Sequence, residues 1–333
     1  MSGPIVVPDF TRCSEIAGVL RQMQLPKRLV RQPRLWLDRR IVGNFNLFLV
    51  AICHQTQSVS GTVGERWCRG WDYLERKLEA HSRTDRYFLE MESLATLSPD
   101  RLDEALAPAS ASSAFPDIEA RTALVNDLGR HMLGAGYNSF EELCDCFEYR
   151  CLGEQSIISF LRTTKAYSDP NEKKVRLLIG LLRDAHGWEF KDAHRLGAPV
   201  DYHEIRGHLR IGTVIVKDSG MRFRFQSDTV TDCDDIVIRA AISEAIVAIA
   251  RDVPGSDALK VHYILWNYFR SLCRRYKPIC SRGSEIAVSE LDSAYVKLFQ
   301  MSTNGNNCVF SSFCESYARQ EFPIEYSYAG NYY

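Results

Sequence analysis

The sequence lacks any run of about 18 consecutive apolar residues, the length that a membrane-spanning helix needs. Its first residues, Met-Ser-Gly-Pro-Ile-Val-Val-Pro, also lack the basic stretch and the apolar segment of a secretory signal. Internal repeats and low-complexity tracts are missing too, which excludes collagen-like and coiled-coil chains. We therefore expect a globular, cytoplasmic protein with no membrane partner.

An excess of charge of one sign is also missing. The 333 residues include 41 Lys and Arg against 42 Asp and Glu, so the formal net charge is −1. This balance gives no global reason to bind a polyanion, and a nucleic-acid site must come from local clusters. One such cluster contains Arg274, Arg275 and Lys277, since no acidic residue occurs from Trp266 to Ser284. Basic segments of this kind bind phosphates, although many are simply solvated surface.

The apolar spacing predicts a mainly α fold of two domains, because most apolar residues recur at helical intervals. A single extended segment interrupts this pattern, at 212–216 and 221–225, where Lys217-Asp218-Ser219-Gly220 suggests the turn of one small β-hairpin. The longer predicted helices are Asn44 to His54, Asn171 to Ala185, Tyr202 to Ile211, Asp235 to Arg251 and Val261 to Leu272.

Eleven cysteines are many for a reducing compartment, in which stable disulfides are rare. Two pairs are closely spaced: Cys273 and Cys280 form Cys-x6-Cys, and Cys308 and Cys314 form Cys-x5-Cys. Four thiolates brought together suit zinc or an iron–sulfur cluster. The alternative is that these are four separate structural cysteines, acting as small buried apolar residues.

The cysteine spacing resembles that of endonuclease III and its adenine-glycosylase relatives, which belong to the helix-hairpin-helix DNA glycosylases. These proteins carry Cys-x6-Cys-x2-Cys-x5-Cys around a 4Fe–4S cluster, with Lys-Pro before the second cysteine, as Lys277-Pro278 stands here. The resemblance implies a 4Fe–4S cluster on Cys273, Cys280, Cys308 and Cys314. The chain departs from the family in having 27 residues, 281–307, in place of two, which leaves zinc or no metal as alternatives.

A second motif, Pro199-Val-Asp201-Tyr-His203-Glu-Ile-Arg206, resembles the family's Pro-x-Asp-Thr-His-x-x-Arg. The resemblance implies that Asp201 is catalytic and that His203 and Arg206 lie near the nucleic acid. Cleavage of an N-glycosidic bond builds positive charge on the sugar, and a nearby carboxylate stabilises that charge. The carboxylate can also deprotonate water or an amine. A plain helix N-cap is the alternative role for Asp201.

Bifunctional members of the family also use a lysine, which attacks the sugar and forms a Schiff base. In the commonest members it lies 18 residues before the aspartate, where this chain has Arg183, and the hairpin signature Leu-Pro-Gly-Val-Gly is missing. The segment Asp169-Pro-Asn-Glu-Lys173-Lys174 instead resembles archaeal 8-oxoguanine glycosylases, which implies Lys173, with Lys174 as alternate. The alternatives are two solvated lysines, or a monofunctional enzyme in which Asp201 activates water.

A third motif, Cys53-His54-Gln55-Thr56-Gln57 after an apolar run, resembles the family's early helix, which ends in a glutamine motif. The resemblance implies that Gln55 fills the gap left by the extruded base, with His54 and Gln57 beside it. The glutamine motif, the candidate lysines, Asp201 and the two cysteine pairs occur along this chain in the same order as in the family.

Taken together, the resemblance implies a six-helix domain at 45–185 and a second helical domain from 1–44 plus 186–333, with the extruded base between them. The function that it implies is a DNA N-glycosylase, with or without lyase activity, acting on a damaged or modified purine in duplex DNA. One alternative is an N-glycosylase of a modified nucleoside or nucleotide, like the queuosine-salvage enzymes. Another is an inactive nucleic-acid-binding homologue. Homologues that occur in bacterial defence loci add an antiviral role to these alternatives.

Overall fold

The computed structural model describes residues 5–23, 38–107, 115–281 and 308–327. The described chain is mainly α-helical, which confirms the predicted class, and adds two small two-stranded antiparallel sheets. No helix in the described ranges is long and apolar enough to cross a membrane. The helices are α1 (Phe10–Gln22), α2 (Arg39–Ala51), α3 (Trp71–Thr84), α4 (Met91–Ala95), α5 (Pro99–Leu106), α6 (Ile118–Gly134), α7 (Phe140–Cys146), α8 (Ile157–Leu161), α9 (Lys173–His186), α10 (Tyr202–Ile211), α11 (Ser219–Gln226), α12 (Asp232–Arg251), α13 (Ala258–Ser271) and α14 (Glu315–Arg319). The strands are β1 (Val6–Pro8), β2 (Ser60–Val63), β3 (Arg66–Arg69) and β4 (Val214–Val216), and short 3₁₀ turns lie at Thr56–Ser58, Arg86–Leu89, Lys165–Tyr167 and Ala193–Arg195.

The chain divides into two compact units. The central unit lies within Arg31–Ala193, and the terminal unit combines Met1–Val30 with His194–Ala329.

Helix α2 forms the centre of the central unit. Every residue from Val42 to Ala51 is buried, because α2 packs against α6, α7 and α9 on different sides. A helix that is apolar all round is expected at such a position. Helices α4 and α6 also lie in close contact, since a Cβ atom at Gly129 would lie only 2.5 Å from the backbone nitrogen of Ala95.

Helix α12 forms the centre of the terminal unit and packs against α1 and α13. Strands β1 and β4 pair antiparallel beside it, with Val6 opposite Val216 and Pro8 opposite Val214. Helices α10 and α13 also lie in close contact, because a Cβ atom at Gly207 would overlap the ring of Phe269. This close approach brings the start of α10 beside α13, where the predicted Asp201 motif lies.

The predicted hairpin at 212–225 is wrong. Strand β4 pairs with β1 near the start of the chain, and the second half of the predicted hairpin is helix α11. Asp218, read as a turn residue, instead caps this helix by accepting a hydrogen bond from the backbone N–H of Met221 at 2.6 Å. A hairpin does occur elsewhere, as β2 and β3, and Gly64 supplies the positive φ (62°) that its two-residue turn needs.

The start of the early helix also differs from the prediction. Asp38 caps α2 by accepting from the backbone N–H of Arg40 at 2.9 Å, so the helix begins at Arg39 instead of Asn44. Asn44 is buried inside the helix, where its side-chain amide donates to the carbonyl of Leu89 at 3.0 Å. The first residue of the predicted helix therefore lies within α2 and joins it to a neighbouring segment.

Candidate functional site

Asp201 is the N-cap residue of α10, and both of its carboxylate oxygens have partners. Oδ1 accepts from the backbone N–H groups of His203 (2.8 Å) and Glu204 (3.2 Å). Oδ2 accepts from Nε1 of Trp266 on α13 at 2.6 Å. The side chain is half-buried. The capping role is thus observed, but it occupies one oxygen only.

Aromatic and cationic side chains surround this carboxylate. The rings of Tyr202 and His203 have centroids 4.1 Å apart, and the His203 ring meets Trp266 edge-on at 6.0 Å. The Arg270 guanidinium lies 5.0 Å from the centroid of the Trp266 ring. Burial, followed by the charge of Asp201, raises the pKa of Tyr202 to about 12, so its hydroxyl stays neutral at physiological pH. The arrangement offers one fixed negative charge among flat rings.

Arg206, predicted to lie near nucleic acid, is buried inside the terminal unit. Its guanidinium donates to the carbonyls of Cys273 (2.8 Å) and Phe269 (3.1 Å), and it forms an ion pair with Glu325 at 2.9 Å. A further contact at 2.8 Å joins it to Nδ1 of His203. These contacts connect α10 with the cysteine segment and with Glu325 and keep Arg206 away from solvent, while its assignment as a nucleic-acid contact stays a prediction.

All four predicted metal-ligating cysteines, Cys273, Cys280, Cys308 and Cys314, line one cavity of the terminal unit. Burial is the main cause that raises the pKa of Cys280 to about 12, and the charges of Cys273 and Cys314 add to it. The thiols are therefore close enough to influence one another. In the ranges that the structure describes, however, no three Cys, His, Asp or Glu side chains form a ready-made site for a single metal ion.

Two side chains donate hydrogen bonds to these sulfurs, in addition to the backbone N–H of Phe310, which donates to Cys308 at 3.4 Å. The Tyr268 hydroxyl donates to Sγ of Cys308 at 3.0 Å, and Nη1 of Arg210 donates to Sγ of Cys273 at 3.4 Å. The Cys314 thiol in turn donates to the carbonyl of Arg210 at 3.3 Å. Donors of this kind stabilise thiolate sulfur, the form in which cysteine binds metals.

Arg210 also holds the backbone of the predicted basic segment. Its buried guanidinium donates to the carbonyls of Arg274 (2.7 Å), Arg275 (2.7 Å) and Pro323 (2.8 Å). Arg274 and Arg275 are themselves half-buried, and Lys277 is exposed.

The two candidate lysines lie at the start of α9 in the central unit, and the structure contradicts the alternative that they are solvated. Asp169 accepts from the backbone N–H groups of Lys173 (2.6 Å) and Lys174 (3.2 Å) and so caps the helix. Lys174 is fully buried, and its ammonium donates to the carbonyl of Ala51 at 2.7 Å. Burial lowers the pKa of Lys174 to about 8. Lys173 is 7% exposed, so it is the nearer of the two to solvent.

The glutamine motif follows the end of α2. Gln55 takes a left-handed conformation (φ 45°, ψ 48°) and is half-buried, and Gln57 lies in the 3₁₀ turn that follows. His54 is buried, and neither ring nitrogen has a hydrogen-bond partner among the described residues. Burial, with the charges of Arg121 and Lys174, lowers the pKa of His54 to about 2. His54 is thus enclosed within the central unit, and its assignment as a nucleic-acid contact stays a prediction.

Two buried cations hold the end of α2. Arg121 donates to the carbonyls of Ile52 and His54, the latter at 2.9 Å, and Lys174 donates to that of Ala51. Cations at a helix C-terminus satisfy carbonyls that have no partner within the helix. The left-handed turn at Gln55 thus starts from a firmly held helix end.

The sequence reasoning missed the residues that act across long chain separations. Trp266 lies 65 positions from Asp201, and no local spacing joins the two. Arg210 comes four residues after Arg206 on the same helix, a spacing that could have indicated a shared face. The missed residues are Trp266, Arg270, Arg210, Tyr268 and Arg121.

In sequence, the chain matches no known family model and no curated protein. The resemblance to the helix-hairpin-helix glycosylases therefore depends on the quoted motifs alone.

Proposed function

We propose that the chain is an N-glycosylase that removes a damaged or modified purine from DNA, with Asp201 as its catalytic carboxylate. The observation that carries the proposal is the Asp201 carboxylate itself, which is half-buried, held through both oxygens and bound to the indole of Trp266, on whose ring Arg270 packs. As the glycosidic bond breaks, positive charge grows at C1′ of the sugar. A preoriented carboxylate stabilises that charge without reorganising.

For the lyase step we propose Lys173 as the nucleophile. Its neutral amine would bond to C1′ while the base leaves with the electron pair of the glycosidic bond and takes up the proton that the amine releases. The nitrogen lone pair would then open the C1′–O4′ bond, and protonation of O4′ would leave the protonated Schiff base. Lys174 suits this role less, because its ammonium is buried and bound to the carbonyl of Ala51.

For the cysteine site we propose a 4Fe–4S cluster on Cys273, Cys280, Cys308 and Cys314. The support is that all four cysteines line one cavity, and that a 4Fe–4S cluster takes one cysteine for each iron. Zinc or no metal are the alternatives. A bound cluster would lie beside the basic segment, since Arg274 follows Cys273 directly.

Phosphate contacts are proposed for Arg274, Arg275 and Lys277, which follow directly after Cys273. Tyr276 belongs to the same surface, since its ring is 77% exposed and lies 5.5 Å from the Arg275 guanidinium. Gln55 and Gln57 remain the proposed contacts at the position of the extruded base, while His203 would face the nucleotide beside Asp201.

A second candidate, an N-glycosylase of a modified nucleotide, is favoured by one observation. Two of the residues assigned to nucleic-acid contact, His54 and Arg206, are buried within their own units. The same Asp201 chemistry would then act on a small substrate.

Mass spectrometry of the released bases tests both candidates. Duplex DNA that carries mixed modified purines and a panel of modified purine mononucleotides are offered separately to the wild type and to Asp201→Asn. Asparagine keeps an acceptor for the helix cap, so we expect a folded variant that has lost about 10²-fold or more of base release. Asp218→Asn, a matched change at another N-cap, should remain active.

The outcomes separate the candidates. Release from DNA alone supports the leading proposal, and release from mononucleotides alone supports the second. Full base release by Asp201→Asn would refute both. A salt-dependent shift of duplex DNA without any base release would instead indicate the inactive binding homologue.

A further inference from the structure

We infer that Trp266 is a positioning residue that sets the orientation of the Asp201 carboxylate. This inference rests on the proposed glycosylase function and deepens it. The indole N–H of Trp266 donates to Oδ2 at 2.6 Å, while the helix cap holds Oδ1. A carboxylate held through one oxygen can still rotate about that contact. A second donor on the other oxygen fixes the plane of the group.

The indole is itself held in place. Trp266 lies on α13, a helix of 14 residues, so its backbone cannot drift as a loop could. The Arg270 guanidinium packs on its ring, 5.0 Å from the centroid, and the edge of His203 meets it at 6.0 Å. A tryptophan side chain has only two rotatable bonds, so little entropy is lost on fixing it. The donor is therefore preorganised for the carboxylate.

A purely structural role, in which the bond only joins α10 to α13, is already filled by other contacts. Arg206 on α10 donates to the carbonyl of Phe269 on α13 at 3.1 Å, and Glu204 pairs with His262 at 2.9 Å. The Phe269 ring lies directly against Gly207. These buried contacts hold the two helices together one turn below the cap. The half-buried Trp266 bond adds little to helix packing, and its distinctive effect falls on Asp201.

The charge on Asp201 makes this bond stronger than one between neutral groups. Where metal ligands are held by hydrogen-bond partners, loss of the partner typically costs about 10- to 100-fold in activity, and we expect a loss of similar size here. We expect the loss in kcat, with KM nearly unchanged, because the indole acts through Asp201 and does not bind substrate.

The activity test compares three variants on the substrate identified above. Trp266→Phe keeps an aromatic ring for Arg270 but removes the N–H donor, and it should lower kcat about 10- to 100-fold. Trp266→His restores an N–H donor and should recover part of that loss. Trp71→Phe, at the start of α3 in the central unit, removes the N–H of another half-buried indole and should leave kcat unchanged. Equal kcat in the wild type and Trp266→Phe would overturn the inference.

A second measurement does not depend on activity. The chain has five tryptophans, and the Trp266 indole signal in a proton–nitrogen NMR spectrum is the one lost in Trp266→Phe. A short bond to a carboxylate moves the indole proton downfield, so Asp201→Asn should shift this signal upfield and leave the other indole signals in place. A signal that does not respond would overturn the positioning role alone. A wild type that releases no base would overturn the glycosylase proposal, and the catalytic part of this inference with it.

Discussion

Replacement of Lys174 by methionine should change how the stability of the protein depends on pH. Lys174 is fully buried, and burial lowers its pKa from 10.5 to about 8. One pKa unit corresponds to about 1.4 kcal/mol, so the buried charge destabilises the folded state by about 3 kcal/mol below pH 8. Methionine has a similar length and no charge, so the variant lacks this destabilisation.

The direction in which wild-type stability changes with pH follows from which state binds the Lys174 proton. Between pH 8 and pH 10.5 the folded protein has released the Lys174 proton, whereas the unfolded chain still holds it. Stability rises with pH wherever the unfolded state binds more protons. The destabilisation is therefore complete below pH 8 and disappears by about pH 10.5. The stability of the wild type relative to Lys174→Met should increase by about 3 kcal/mol across this range.

Urea unfolding followed by circular dichroism, at intervals from pH 7 to pH 10, measures this difference. Other buried groups also titrate there, including Cys280 and Tyr202, but they are common to both proteins and cancel in the comparison. Methionine also loses the hydrogen bond to the Ala51 carbonyl, which adds a constant of about 1–3 kcal/mol against the variant. Only the pH-dependent part reports on the buried charge.

Lys173→Met is the matched control, since it removes the neighbouring charge and leaves Lys174 in place. It should retain the wild-type rise. A constant difference between the wild type and Lys174→Met over the whole pH range would refute the reasoning, because it would mean that the Lys174 ammonium is not kept from water in the folded state.

Three further predictions concern other buried positions. Burial lowers the pKa of His54 to about 2, so the folded protein stays neutral there while the unfolded chain gains a proton below pH 6.5. Wild-type stability should therefore fall by up to about 1.4 kcal/mol for each pH unit below 6.5. His54→Phe should lose this part of the pH dependence in urea unfolding at acid pH, and an unchanged slope would contradict the prediction. Gly129→Ala should lower the free energy of unfolding by about 1–3 kcal/mol in thermal melts, because its methyl group would meet the backbone of Ala95; a higher melting temperature would show that α4 can move. Arg210→Met should lower the free energy of unfolding by at least about 3 kcal/mol in urea unfolding, since the carbonyls of Arg274, Arg275 and Pro323 lose their donor; a wild-type value would contradict this.

Local signals predicted the helices well. The predicted range Tyr202 to Ile211 is that of α10, because Asp201 gives a clear cap and Gly212 a clear stop. The hairpin prediction failed because β-branched and aromatic residues at 212–225 fit two structures equally. Asp218 decided between them as a helix cap, and the partner of β4 lies some 200 residues away in sequence, at β1.

The motif predicted the helix cap at Asp201, but not the surroundings of that residue. A motif states which residues are neighbours in sequence, whereas Trp266 reaches Asp201 only because α10 and α13 pack together at Gly207. Nor did the motifs predict that Arg206 and His54 are buried. Charge and polarity suggest a surface residue, and only the folded chain reveals that backbone carbonyls accept from Arg206 and that His54 lies inside the central unit.

The Arg210 guanidinium has a further consequence for how the cysteine site is assembled. In zinc fingers the metal itself creates the fold, so extraction of the metal unfolds the chain. Here a permanent cation ties the carbonyls of residues 274 and 275 to that of residue 323, with no inorganic group required. A protein prepared without the proposed cluster should therefore keep the shape of this region, and addition of iron and sulfide under native conditions should load the site without a refolding step.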